Sequence, residues 1–204
     1  MKEVYFTQRA IAYFIDVIIV TIISSLCLLV VSAIKPQDDK YQKASEEFLT
    51  KYEEILQKPD AKEMTKFFDE QKDNMYLIER SGVIGTVFDI IILAGYFGAF
   101  QFFNGGQTLG KKVAKIKVVG NDNKKDYNYG SSLLRTALNY GLFSKVLLII
   151  LVLVLNANNY MIPVFAVQSL AMLFNLILII MVAFRKDGRS LSDMICNTKV
   201  ISSK

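Results

Sequence analysis

The sequence of 204 residues contains no histidine, the commonest metal ligand and the commonest general base near neutral pH. Without histidine, no Ser–His–Asp or Cys–His catalytic set can form. The chain has only two cysteines: Cys27 lies in an apolar run and Cys196 near the C-terminus, a separation that fits no zinc motif. These absences argue against an enzyme, and they predict no metal site, no cofactor and no structural disulfide.

Long apolar runs are what the sequence has instead. Hydrophobic residues make up 52% of the chain, and a hydrocarbon core about 30 Å thick needs roughly 20 apolar residues in one helix. Four runs reach that length, so we predict membrane spans over 10–34, 82–103, 136–155 and 161–184. The predicted fold is an all-α membrane protein, a four-helix transmembrane bundle. We find no internal repeat in the sequence.

A polar insert over 35–80 separates the first two spans and contains 12 acidic and 9 basic residues. Apolar residues recur at helical spacing before Pro59, and the capping-box spacing of Asp60 and Glu63 predicts a second helix that ends near Met75. The insert is therefore predicted to be an extracytoplasmic helical hairpin, either a solvated connector or a docking surface for a protein partner. It divides the chain into a first segment, 1–34, and a core, 81–204.

The orientation in the membrane follows from lysine and arginine near the span ends. Basic residues concentrate in the N-terminus, in the loop over 104–135 and in the tail, which four spans place on one side. Both termini are therefore predicted to be cytoplasmic. Juxtamembrane lysines usually meet lipid, so Lys112, Lys115 and Lys117 are predicted to face the bilayer surface, and no nucleic-acid partner is expected.

The stretch GGQTLGKK at 105–112 has the glycine and lysine spacing of a phosphate-binding loop. Such a loop follows a strand and has serine or threonine after its lysine, whereas here a membrane helix comes first and Lys112 replaces the hydroxyl. We interpret the stretch as a sharp turn at the membrane surface, with lysines directed at lipid head groups. The IKVV sequence that follows fits a short strand or an interfacial segment.

Charged residues inside predicted spans are costly and indicate function by default. Arg9 opens the first span, and Asp16 lies seven residues later, about 10 Å deeper. Asp16 therefore requires a partner from another span, a cation, water or a proton. Asp89 in the second span and Lys145 in the third are predicted to pair within the membrane. Both a structural ion pair and a proton or cation relay are consistent with these charges.

Three stretches, in the same order, resemble the RDD family of membrane proteins. The opening RAIAYFIDVIIV has arginine at a helix start and aspartate in mid-helix. The loop GGQTLGKKVAKIKVVG resembles the family stretch G-x-T-x-G-K with V-V seven residues after the lysine, and its matching residues are Gly106, Thr108, Gly110 and Lys111. The tail GRSLSDMICNTKVI, with Arg189 and Thr198, resembles the closing pattern Leu–His–Asp–(x)3–Gly–Thr–x–Val.

The family is named after one arginine and two aspartates. Arg9 and Asp16 match the first two, and Asp193 in the closing pattern is the expected third. The chain departs from the pattern twice, since Ser192 stands where histidine is usual and Asn197 where glycine is usual.

The resemblance implies a multi-pass protein of the bacterial cell membrane, with a transport role that includes cation/proton antiport in some members. In the transporter hypothesis, Asp16 binds Na⁺ or a proton, Asp89 and Lys145 form a coupled pair, and Arg9 and Asp193 form a gate. Four spans are few for a transporter, so a homo-oligomer is expected. In the alternative, the protein is a membrane adaptor or assembly factor that binds a partner through its insert or its basic loop.

Overall fold

The computed structural model describes residues 4–34, 38–57, 59–121 and 127–203. Helices dominate, as the apolar runs predict, and the first of them, α1 (Phe6–Ile34), has 29 residues. It contains no proline or glycine, the residues that most weaken a helix interior. At 1.5 Å per residue, α1 is long enough to cross a bilayer core about 30 Å thick.

The insert forms three helices rather than the predicted two, namely α2 (Asp39–Gln57), α3 (Ala61–Glu70) and α4 (Lys72–Ser81). α2 packs against α4, and the rings of Phe48 and Phe67 join α2 to α3 with centroids 5.3 Å apart. α3 begins after Asp60 as predicted, but the Asp60 side chain makes no capping hydrogen bond. The helix breaks at Gln71, whose side chain is buried and donates through Nε2 to Glu47 on α2.

The second span runs from Val83 to Phe103. It consists of α5 (Val83–Leu93), a π-helical segment (Ala94–Phe100) and α6 (Gln101–Phe103). The π-helical segment packs closely on the helix that follows the cytoplasmic loop. Ser132 Oγ donates to Gly98 O at 2.9 Å, and a Cβ at Gly98 would lie 2.6 Å from Leu133 Cδ2. The small residue therefore allows close packing, since a methyl here would displace the Leu133 side chain, as expected for small residues between membrane helices.

The predicted third span is not one straight helix. It is a pair, α8 (Tyr129–Asn139) and α9 (Leu142–Val154), bent by 65° where Gly141 has φ +65°. α9 alone is about 20 Å long, too short to cross the core. With α10 (Ala157–Phe184), the described part of the chain has three helices long enough to span, or four if the bent pair counts as one. The multi-pass helical architecture is confirmed, while the straight four-helix bundle is not.

A small cap covers one end of the helices. Its second half is formed by the C-terminal stretch that the sequence predicts to be a polar tail. The cap contains two short helices, α7 (Leu109–Val113) and α11 (Leu191–Ile195), and two strands, β1 (Ile116–Gly120) and β2 (Thr198–Ser202). The strands pair antiparallel, with Val118 opposite Val200. IKVV is therefore a strand, and the fold has a two-stranded sheet in addition to its helices.

The two halves of this cap are copies of one motif, so the prediction of no internal repeat is wrong. GQTLGKKVAKIKVVG at 106–120 aligns without gaps on GRSLSDMICNTKVIS at 188–202. In each copy a hydroxyl side chain caps a five-residue helix, through Thr108 and Ser190. Each copy also has positive φ at the same two positions, in Gly106 and Lys115 and in Gly188 and Asn197.

Equivalent hydrogen bonds show that the copies are related by a pseudo-two-fold axis between Val118 and Val200. Asn121 N donates to Asn197 O, and Ser203 N donates to Lys115 O, both at 2.9 Å. Each copy follows a membrane-length helix, Val83–Phe103 or Ala157–Phe184. The chain therefore consists of two units, each with two membrane segments followed by a cap motif. We call these the first and second units.

Candidate functional site

The Asp16 carboxylate, 1% exposed, lies where α1 meets the cap motif of the first unit. Tyr96 Oη donates to Oδ1 at 2.7 Å and the Gly110 amide to Oδ1 at 2.8 Å, while Thr108 Oγ1 donates to Oδ2 at 2.5 Å. The partner that the sequence analysis sought in another span is therefore partly Tyr96. The other donors come from GGQTLGKK, which is more than a surface turn.

Local sequence explains why α1 and α7 approach so closely. Thr108 is the N-cap of α7 and accepts from the Lys111 amide, which leaves its hydroxyl hydrogen for Asp16. Gly110 supplies the contact surface, since a Cβ there would lie 2.2 Å from Ala12 O and 2.8 Å from Asp16 Oδ1. A glycine is therefore needed for the carboxylate to reach the backbone amide.

We expect Gly110→Ala to lower the free energy of unfolding by about 1–3 kcal/mol, because the added methyl meets the Ala12 backbone and α1 and α7 must move apart. Gly95→Ala is the matched control, since a Cβ at Gly95 has no atom within 4 Å. Thermal unfolding in one detergent measures both variants. Equal midpoints for the two would contradict this reading of the α1–α7 contact.

Lys111 turns inward, so the prediction that this lysine meets lipid is wrong. Its side chain is 13% exposed, and Nζ lies 4.0 Å from Asp16 Oδ2. Nζ donates to Gln101 Oε1 at 2.7 Å and lies 5.7 Å from the centroid of the Phe97 ring. Burial lowers the pKa of Lys111 to about 8, and the neighbouring Asp16 opposes this shift only in part. A lysine with this pKa changes charge near physiological pH.

A chain of polar contacts leads from Lys111 through Gln101 to Tyr127. Gln101 Nε2 donates to Tyr127 Oη at 3.0 Å, and Tyr127 Oη shares a hydrogen bond of 3.1 Å with Ser132 Oγ. Gln101 and Ser132 are buried, and Tyr127 is partly exposed. The contacts connect the Asp16–Lys111 pair to a side chain that solvent reaches.

The second buried carboxylate, Asp193, lies on α11 and is 0% exposed. Arg9 Nη1 lies 3.2 Å from Oδ2, and Arg135 Nη1 donates to Oδ1 and, at 2.9 Å, to Thr198 Oγ1. The Ser190 amide also donates to Oδ2, at 3.0 Å. Burial alone would raise the pKa of Asp193, but Arg135 and Arg9 outweigh it and lower that pKa. The structure thus brings the expected pair, Arg9 and Asp193, together.

Sequence reasoning missed Arg135, which it counted only among the basic residues of a loop. Arg135 is buried in α8 and lies at the start of the second unit's first membrane segment, as Arg9 does in the first unit. The equivalence of the two units points to Arg135, but this arginine lies outside the aligned motifs, so the sequence alone does not single it out. Arg189, in turn, donates from Nε to Thr198 O at 3.2 Å, as Gln107 donates to Ile116 O in the other copy.

The two departures from the family pattern have local explanations. Ser192 is buried and donates from Oγ to Asn139 Oδ1 at 2.5 Å, so it fills the usual position of histidine with a neutral hydrogen bond to α8. Asn197 has φ +46°, a left-handed conformation that glycine adopts freely and asparagine tolerates best among other residues. The usual glycine is thus a backbone requirement.

Asp89 and Lys145 face each other as predicted, with Nζ 3.6 Å from Oδ2. Their side chains are 37% and 32% exposed, so this ion pair is partly open to its surroundings. Lys112 and Lys115 are exposed and Lys117 is partly buried on β1, so the structure leaves the first two free to contact a surface.

A cavity of about 710 Å³ lies between the units. The Asp16 carboxylate and the two arginines that pair with Asp193, Arg9 and Arg135, border it, together with Tyr140, Asn175 and Leu178. Within 4–34, 38–57, 59–121 and 127–203, no three side chains of aspartate, glutamate or cysteine come together as metal ligands would. The site instead combines one carboxylate, one amine of lowered pKa and several hydroxyl and amide groups. Groups of this kind can exchange protons and form hydrogen bonds with water or small ions.

The family model described as RDD family matches residues 4–197, nearly the whole chain and across the insert. No curated protein and no solved structure matches the sequence significantly.

Proposed function

The chain belongs to the RDD family, and on that premise we propose that this multi-pass membrane protein is a small proton-coupled transporter that exchanges a cation such as Na⁺ for a proton. The observation that carries the proposal is the buried pair of Asp16 and Lys111, with 4.0 Å between Oδ2 and Nζ. Buried charges within membrane-spanning helices are costly and are a common sign of ion pathways.

In the proposed exchange, the Lys111 proton and the cation compete for one carboxylate. When Lys111 is protonated, its ammonium is the counter-ion of Asp16. When it releases its proton, Asp16 keeps its negative charge and a small cation takes the place of the ammonium. The Thr108 hydroxyl and the Gln101 amide oxygen lie close enough to Lys111 Nζ, at 3.4 and 2.7 Å, to supply further oxygen ligands. The proton leaves as the cation arrives, so the net charge of the site does not change.

The internal repeat supports a transport role. Many transporters are built from repeats and hold their substrate site at the interface between them. Here the cavity lies between the units, with Arg9 and Arg135 from different units both on Asp193. We propose that this three-residue cluster is the cytoplasmic gate, since it joins the helices of both units to the cap.

The remaining features of the proposal follow from charge and size. We place the protein in the cell membrane of a bacterium with both termini in the cytoplasm, because the basic loops lie on that side. We propose a homo-oligomer, because three or four spans enclose little space. The Asp16 and Lys111 groups serve transport in this proposal and not catalysis, and the insert remains the surface for a protein partner.

A structural role has its own supporting observation. The Asp16 oxygens already accept three hydrogen bonds from Tyr96, Thr108 and Gly110, so this group also holds α1 to the cap. In the adaptor alternative, that is its whole role, and the insert binds a partner. The two functions differ in whether the wild-type protein moves ions at all.

The test is exchange in liposomes that contain the purified protein and a pH-sensitive dye, with separate pulses of Na⁺, K⁺ and Li⁺. We expect a cation-dependent pH change that Asp16→Asn reduces to the protein-free background, because the variant removes the charge for which cation and proton compete. Asp187→Asn, at an exposed position, is the control and should exchange as the wild type does. A flat wild-type trace, or full exchange in Asp16→Asn, would contradict the proposal.

A further inference from the structure

The cavity between the units has more room than a small ion needs. Its volume of about 710 Å³ falls in the range of roughly 300–1,000 Å³ in which proteins bind organic ligands. Its polar end is bordered by Arg9, Lys111 and Arg135. From there it extends along α1 past Val20, eleven residues and about 16 Å beyond Arg9. The space is therefore long and cationic at one end.

The charges at the polar end are not balanced. Three cationic side chains face two carboxylates, Asp16 and Asp193, because both arginines share Asp193. In addition, Arg9 Nε is buried and has no hydrogen-bond partner among the described residues. A buried donor without an acceptor is unfavourable, so an anion at this position would satisfy both the charge and the donor.

The apolar part of the cavity indicates that the anion carries a hydrocarbon chain. Its walls are Val17 and Val20 from α1 and Leu178, Ile179 and Val182 from α10. α1 packs on α5 and α7, and α10 on α9 and α4, so the first and last spans border the cavity without packing closely on each other. Side chains of α1 and α10 elsewhere are exposed and apolar, as at Ile22 and Ile180. The cavity is thus bordered by the two spans that adjoin lipid.

We propose that this cavity holds one anionic phospholipid, with its phosphate at Arg9 Nε and its acyl chain between α1 and α10. Basic pockets between spans on the cytoplasmic side are the sites where proteins bind anionic head groups. This site differs from the exposed lysines of the cap, which contact the membrane surface without enclosing a lipid. The inference does not depend on ion exchange, since it rests on cavity shape, charge and an unpaired donor.

The experiment is native mass spectrometry of the delipidated, purified full chain, titrated with phosphatidylglycerol, with phosphatidylcholine of the same acyl chains, or with inorganic phosphate. We expect one phosphatidylglycerol bound at concentrations at which neither other ligand binds. Arg9→Lys keeps a cation beside Asp193 and removes the Nε donor. It should weaken this binding roughly tenfold, the loss expected for one charge-assisted hydrogen bond.

A second pair of variants tests whether the apolar walls of the cavity hold the acyl chain. Val20→Trp places a large ring in the cavity, and Ile22→Trp places the same ring on the exposed lipid side of α1. We expect Val20→Trp to abolish tight binding of one phosphatidylglycerol and Ile22→Trp to retain it. Equal binding of the two phospholipids, equal binding by the two tryptophan variants, or phosphate binding as tightly as phosphatidylglycerol would each overturn the proposal. Exchange activity is a separate readout, so failure here leaves the proposed function untouched.

Discussion

Replacing Asp193 by asparagine is expected to lower the free energy of unfolding by about 3–5 kcal/mol, the cost of removing one partner from a buried ion cluster. The variant leaves Arg9 and Arg135 in the cap interface with no carboxylate, although both are largely buried. It also leaves one acceptor oxygen in place of two, so Arg135 and the amide of Ser190, the N-cap of α11, no longer each have their own. Because Arg9 and Arg135 come from different units, the loss weakens the contact between them.

The matched control is Asp187→Asn. Asp187 also pairs with an arginine, Arg185, at 2.8 Å, but both side chains are about 40% exposed. Exposed pairs contribute little to stability because water and salt screen them. We therefore expect no measurable change in the unfolding midpoint for this variant. Similar losses in the two variants would show that the Asp193 cluster is not a special stabilising contact.

The Asp193 cluster also predicts how stability depends on pH. Its folded-state pKa is lowered by Arg135 and Arg9 against the effect of burial, so the folded protein holds this proton more weakly than the unfolded chain. Its contribution is therefore present above the unfolded-state pKa of about 3.9 and is lost as the pH falls through the folded-state value. Unfolding midpoints measured between pH 3 and 7 should fall more steeply for the wild type than for Asp193→Asn.

The sequence predicted the residues of the site better than their partners. Arg9 and Asp16 stand out because a charge in or beside an apolar run must have a partner, and that requirement depends on composition alone. Asp193 lies in the polar tail, and only the resemblance of the closing pattern indicated it. The partners come from residues 80 to 184 positions away for Tyr96, Gly110 and the Arg9–Asp193 pair. Contacts between residues so far apart in the sequence depend on tertiary packing, which residue spacing within one helix does not predict.

Two features of the fold were hidden for other reasons. The bend between α8 and α9 rests on a single residue, Gly141, whose left-handed conformation cannot be told from the sequence of an apolar run. The repeat is hidden because only four of its fifteen aligned positions are identical. The copies share local structural features instead: a hydroxyl side chain that caps the short helix, positive φ at two positions and alternating apolar residues in the strand. Lys111 and Asp193 even occupy equivalent positions with opposite charge.

Lys111→Arg is the second variant with a large expected effect. Arginine keeps the positive charge beside Asp16, so the fold should be retained, but its pKa above about 12 prevents it from releasing a proton near neutral pH. If Lys111 is the proton carrier, the cation never gains access to Asp16 and exchange falls to background. Lys112→Arg, at the exposed neighbouring position, is the control and should exchange like the wild type.

The pH dependence of exchange follows from the lowered pKa of Lys111. Burial favours the neutral amine, so the proton leaves at about pH 8 rather than near the ordinary value of 10.5. Well below pH 8 the ammonium stays on Asp16 and excludes the cation, and well above it there is no proton to exchange. The rate should therefore be highest near pH 8 and fall on both sides.

The most direct measurement is this pH profile of Na⁺-driven proton release in liposomes, for the wild type and for Lys111→Arg side by side. A wild-type maximum near pH 8, with a trace at background in the arginine variant at every pH, is the result expected if Lys111 and the cation compete for Asp16. Exchange that persists in folded, correctly inserted Lys111→Arg, with the same pH profile as the wild type, would contradict it.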